Sequence, residues 1–100
     1  MVIDQTIDGH YQGTVKSFVR ISGGGIRRTM SIPSSTGSRL FDLQRVASYT
    51  VRSFQQPCQS SCNRLLHPVD GCGTTFTADG EVVRLAIVVT PGTGCTITRS

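Results

Sequence analysis

Tryptophan is absent from this chain of 100 residues, and only four Phe and two Tyr supply aromatic bulk. A core built without Trp draws mainly on aliphatic side chains, and hydrophobic residues make up 37% of the sequence. A chain this short forms one domain and buries about two-thirds of its unfolded surface, so a further source of stability is needed. No apolar stretch approaches the roughly 18 residues of a membrane-spanning helix. The helical signature is missing too, because no apolar set at i, i+3, i+4, i+7 survives the glycines and β-branched residues. Residues 1–9 carry Asp4 and Asp8 and lack the apolar run of a secretory signal. An exported form would have lost its signal earlier, with Met1 an added initiator.

Lysine is scarce as well. One Lys stands beside nine Arg, opposed by five Asp and one Glu, for a net charge of +4. Net positive charge suits anionic partners such as nucleic acid, cell-wall polymer or anionic lipid head groups. The arginines, however, are spread over positions 20, 27, 28, 39, 45, 52, 64, 84 and 99, in no block longer than two. Such spacing describes solvated strand faces better than a dedicated anion site, and nucleic acid is not an expected partner.

What the chain does contain is alternation. In Val46–Cys58, Tyr49, Val51 and Ser53 share one face, while Ser48, Thr50, Arg52 and Phe54 share the other, the period of a strand. Pro57 cannot donate to a ladder, so pairing is expected to stop near it. Upstream, Thr14–Ile21 places Val15, Val19 and Ile21 together, and Ile26–Ile32 places Ile26, Met30 and Ile32 together. Gly23-Gly24-Gly25 reads as a turn; no Lys-Ser/Thr or helix follows, which excludes a phosphate loop. Pro33–Gly37 is a second turn cluster, followed by a strand from Ser38 to Leu43 and a short link at Gln44-Arg45. Asp79-Gly80 lies between Thr74–Thr77 and Glu81–Thr90 and predicts a hairpin, since both residues tolerate positive φ. Glu81–Thr90 is the most apolar strand and is expected at the buried centre of a sheet. Pro91–Gly94 turns into a last strand, Cys95–Arg99.

Short strands divided by turns predict an all-β fold, a single antiparallel β-sandwich of about seven strands stabilised by disulfides. Residues 1–12 form a lead-in or edge strand, and residues 13–100 form the sandwich.

The order of these segments resembles the prealbumin-like sandwiches, among them the carboxypeptidase regulatory-like domain and the collagen-adhesin B-type repeat. The resemblance is carried by Gly13–Ile21, the turn Ser34-Ser35-Thr36-Gly37, Arg39-Leu40-Phe41-Asp42-Leu43, and Ser48-Tyr49-Thr50-Val51-Arg52. Ala47 stands where that family usually has Gly. The second half is similar to small secreted actinobacterial domains, through Cys-x-x-x-Cys, an apolar-Pro loop, a further Cys and Gly-Cys-Thr-Ile. The resemblance covers about residues 13–99 and implies a structural or binding module rather than an enzyme. It also implies a test: B-type repeats often form an isopeptide bond between Lys on the first strand and Asn or Asp on the last, assisted by Glu. Lys16 and Glu81 match, but Cys95–Ser100 holds no Asn or Asp, so disulfides are expected to take over that role.

Four cysteines allow three pairings. Cys62–Cys72 together with Cys58–Cys95 is the favoured one; Cys58–Cys62 is awkward unless that segment makes a helical turn. Zinc held by the thiolates and His67 is the rival, but the chain has one close Cys pair where tetrahedral sites usually show two. Disulfides, and hence a secreted or cell-surface location, are the better reading. No metal or other cofactor is expected.

The favoured pairing encloses Arg64, Leu65, Leu66, His67 and Pro68, making this loop the candidate contact surface for a protein or cell-surface polymer. Its leucines could equally cap the core. A protease-inhibitor loop built on Arg64 or Leu65 is an alternative. Another is a small secreted hydrolase, such as a nuclease using His10, His67 and Lys16. No nucleophile elbow, Ser-His-Asp spacing or carboxylate pair supports catalysis, so no catalytic residues are assigned.

Overall fold

The computed structural model describes residues 1–32, 37–41, 46–80 and 82–99. Nine strand segments and no helix occur among them: β1 (Val2–Ile7), β2 (Val15–Gly23), β3 (Ile26–Ile32), β4 (Gly37–Leu40), β5 (Ala47–Gln59), β6 (Ser61–Leu65), β7 (Val69–Ala78), β8 (Arg84–Thr90) and β9 (Gly94–Arg99). They form two sheets, one ordered β4-β1-β8-β9 and the other β3-β2-β5-β6, with β7 also pairing β5. The fold is the expected all-β sandwich with two disulfides. The turn residues Pro33–Thr36, the link Asp42–Arg45 and Glu81 lie outside the described residues.

Alternation decides what fills the space between the sheets. Val19, Ile21, Tyr49 and Val51 from the second sheet meet Ile3, Leu85, Ile87 and Val89 from the first, and all are at most 1% exposed. Tyr49 and Phe76 stack across β5 and β7 with centroids 5.9 Å apart. Complete burial of each such side chain contributes roughly 1.5–3 kcal/mol. The triple glycine closes the β2–β3 hairpin as expected, with Gly24 at φ 57° against the Tyr49 hydroxyl.

Polar residues also enter the interior. Gln5, Ser17, Ser53 and Gln55 are each at most 4% exposed. Gln5 Nε2 donates to Ser17 Oγ at 2.9 Å, and Ser17 Oγ donates to Gln55 Oε1 at 2.5 Å. This relay is a directional contact between β1 in one sheet and β2 and β5 in the other.

Three expectations need correction. First, the N-terminal segment is neither a lead-in nor an edge: β1 lies between β4 and β8, with Ile3 and Gln5 buried. Its inward-facing Gln5 breaks the hydrophobic pattern by which an interior strand is recognised. β1 also runs parallel to β8, Ile3 opposite Leu85, whereas the other strand pairings among the described residues are antiparallel. Second, Asp79-Gly80 does not close a hairpin. Gly80 has the expected positive φ of 96°, but β7 and β8 belong to different sheets, so the turn carries the chain across the sandwich.

Third, the disulfides are Cys58–Cys62 and Cys72–Cys95. No helical turn is needed at Cys58–Cys62, because Ser60 at φ 61° reverses the chain between Gln59 and Ser61. A register shift beside it leaves the two Cα atoms 4.6 Å apart. Cys72 sits opposite the buried Ser53, and Cys95 opposite the buried Val89, so both point between the sheets with Cα atoms 5.4 Å apart.

Candidate functional site

The corrected pairing changes the Arg64–Pro68 segment. It is not enclosed by linked cysteines but follows the small Cys58–Cys62 ring, through the end of β6 and into the connection to β7. Leu66 N–H donates to the Pro57 carbonyl at 2.8 Å, and Gln56 Nε2 donates to the Leu66 carbonyl at 3.1 Å, so the segment is tied along β5. Leu65 is half-buried and Leu66 is 46% exposed, and neither joins the core cluster. Arg64, His67 and Pro68 are exposed.

His10 and Lys16 line a cavity of about 650 Å³ beside Tyr11 and Ser17, whereas His67 does not line it. The Tyr11 hydroxyl donates to Asp70 Oδ2 at 2.5 Å, and the Gly92 N–H donates to the same oxygen at 3.1 Å. One carboxylate thus pins the β1–β2 connection, the start of β7 and the β8–β9 turn. Burial, then the hydrogen bond to Asp70 and its charge, push the Tyr11 hydroxyl pKa well above the ordinary tyrosine value. All four cysteines are in disulfides, so no thiolate is left to hold zinc with His67.

The outer face of the five-stranded sheet carries the more organised constellation. In β2 the inward residues Ser17, Val19 and Ile21 leave Lys16, Phe18 and Arg20 outward; in β5 the same logic leaves Arg52, Phe54 and Gln56 outward. Antiparallel register then sets Phe18 opposite Phe54 and Arg20 opposite Arg52. The rings stack with centroids 5.6 Å apart and planes inclined by 23°. The Arg20 guanidinium lies 5.6 Å from the Phe54 centroid, and its Nε donates to Thr29 Oγ1 on β3 at 3.2 Å. Gly73 faces Arg52 across β5 and β7, so a groove of about 610 Å³ opens between Phe18, Phe54, the two arginines, Pro68 and Gly73. A Cβ on Gly73 would come within 3.3 Å of Arg52 Cγ.

Electrostatically this arrangement is unbalanced. Like charges directly opposite one another in a ladder oppose its stability, and β2, β3 and β5 contain no acidic residue. The acid of β7, Asp70, is engaged by Tyr11 and Gly92. Lys16 and Arg27 extend the cationic surface, Arg27 standing opposite Ser22 at the far end of β2. The opposite outer face is mixed, with Asp4, Thr6, Arg84, Val88 and Thr90 exposed on β1 and β8.

Phe18, Arg20, Arg52 and Phe54 were not singled out from sequence, although a signal existed. Phe18-Val19-Arg20 and Arg52-Ser53-Phe54 mirror each other in their outer residues, and antiparallel pairing of such triplets puts Phe beside Phe and Arg beside Arg.

No protein-family model matches the chain, and no curated protein or solved structure matches it.

Proposed function

We propose that the chain is a secreted or cell-surface binding module whose contact surface is the outer face of the five-stranded sheet. The Arg64–Pro68 segment contributes its Pro68 end to the groove. The carrying observation is the opposition of Arg20 and Arg52 beside the stacked Phe18 and Phe54, with no acid on β2, β3 or β5. An anionic partner would relieve the repulsion, and guanidinium groups bind carboxylate or phosphate bidentately. Two disulfides support an oxidising compartment. The prealbumin-like relationship remains part of this reading, supported by the two-sheet architecture.

The test is salt elution from a sulfonated matrix. Arg52→Gln and Arg84→Gln each remove one exposed cation, but from opposite faces. Arg52→Gln is expected to elute at clearly lower salt. Equal elution of the two variants would show that only net charge matters, and the contact surface would be elsewhere.

A further inference from the structure

Resting on the binding reading above, we infer that the ligand is an acidic polysaccharide, a polyuronate strand lying across β2 and β5 with its carboxylates at Arg20 and Arg52. The groove side chains that bear charge are donors only, and Arg20 and Arg52 are both arginine, whose fork matches a planar carboxylate. The groove's side-chain acceptors are the neutral Gln56 Oε1 and Thr29 Oγ1, with no carboxylate among its lining, so its charge complements an anionic glycan rather than a neutral one. Apolar surface remains at Pro68, where the C–H face of a sugar ring can rest.

Two other anionic polymers fit less well. Single-stranded nucleic acid binds by stacking bases on free aromatic faces. Here Phe18 and Phe54 use one face each on the other, and the Arg20 guanidinium lies over the Phe54 ring. An extended acidic peptide gains much of its affinity by adding to a sheet edge. The groove instead crosses strands already paired on both sides, β2 by β3 and β5, and β5 by β2 and β7. With β2 and β5 each paired on both sides, recognition in this groove falls to side chains, which suits a polymer of regularly spaced carboxylates.

The experiment is an amide-resolved NMR titration with a defined oligogalacturonate, its methyl ester, an oligodeoxythymidylate and poly-L-glutamate. The expected result is saturable shifts at Phe18, Arg20, Arg52, Phe54 and Gly73 with the oligogalacturonate and none with the ester. Arg20→Gln and Arg52→Gln should each weaken that binding about tenfold, the worth of one charge-assisted hydrogen bond. Tighter binding of the oligonucleotide or the polypeptide to this face would overturn the polysaccharide assignment and leave the binding surface standing. Absence of shifts on this face with all three anions would overturn both.

Discussion

Cys72 on β7 is bonded to Cys95 on β9, so one covalent link joins the two sheets, which also meet through side-chain packing and hydrogen bonds. The other disulfide, Cys58–Cys62, closes a ring within one hairpin. Their sequence separations are 23 and 4.

These separations order the effects of removing each bond. On the loop-entropy account, replacing Cys72 and Cys95 by Ala should cost about 3 kcal/mol and replacing Cys58 and Cys62 about 2 kcal/mol. Unfolding free energies extrapolated from urea titrations of the two double variants, each with its own m-value, measure the difference. A larger loss from the Cys58/Cys62 pair would contradict the assigned roles.

Ser17 is the middle of the buried relay, so Ser17→Ala strands a donor on Gln5 and an acceptor on Gln55. Unsatisfied buried groups of this kind cost about 1–3 kcal/mol each. With two groups stranded, chemical denaturation should show a loss of about 2–6 kcal/mol, well above the small effect of Ser48→Ala, whose hydroxyl meets Thr77 on the exposed face. Similar losses in the two variants would remove the relay from the account of how the sheets are aligned.

Tyr11 predicts behaviour in alkali. Its folded pKa is raised above the unfolded value near 10, so its contribution to stability is complete below that pH. Above pH 10 the unfolded chain ionises first, and the contribution is lost as pH climbs toward the folded pKa. Tyr11→Phe should therefore be less stable than the parent at neutral pH and lose less between pH 9 and pH 11, by roughly the same unfolding assay in both buffers. Ultraviolet titration of the folded parent should show no tyrosine ionising with an ordinary pKa at position 11.

Gly24 lies at φ 57°, and a Cβ there would stand 2.5 Å from the Tyr49 hydroxyl. Tyr49 is 1% exposed and packed against Phe76, so it cannot readily yield. Gly24→Ala should cost about 1–3 kcal/mol, the usual size of such local strain. Gly92→Ala serves as the control for positive φ alone, since a Cβ at Gly92 meets nothing within 4 Å. A thermal scan in which both lower the midpoint equally would remove the clash with Tyr49 from the explanation.

Much of the site was hidden by a pairing that no local pattern encodes. The faces were readable: Arg52 and Phe54 oppose Val51 and Ser53 by alternation alone, and Val19 and Ile21 point away from Phe18 and Arg20. Arginines scattered along the chain looked like separate solvated positions. The register of β2 against β5 turned two of them into one cluster, Arg20 facing Arg52. The Arg64–Pro68 segment reads from sequence as a contact loop or a cap on the core, and its exposure was decided by the cysteine pairing, which depends on strand geometry.

Side-chain alternation is a property of a few consecutive residues, so the amino-acid order alone determined an all-strand chain, its inward faces and its need for crosslinks. Which strand lies beside which is settled only when distant segments meet and bury a common core. The same Asp79-Gly80 turn serves a hairpin or a crossing between sheets, and the same cysteines allow three pairings. Tertiary packing chose among them by placing β1 between β4 and β8, β7 beside β5, and Cys72 over Cys95.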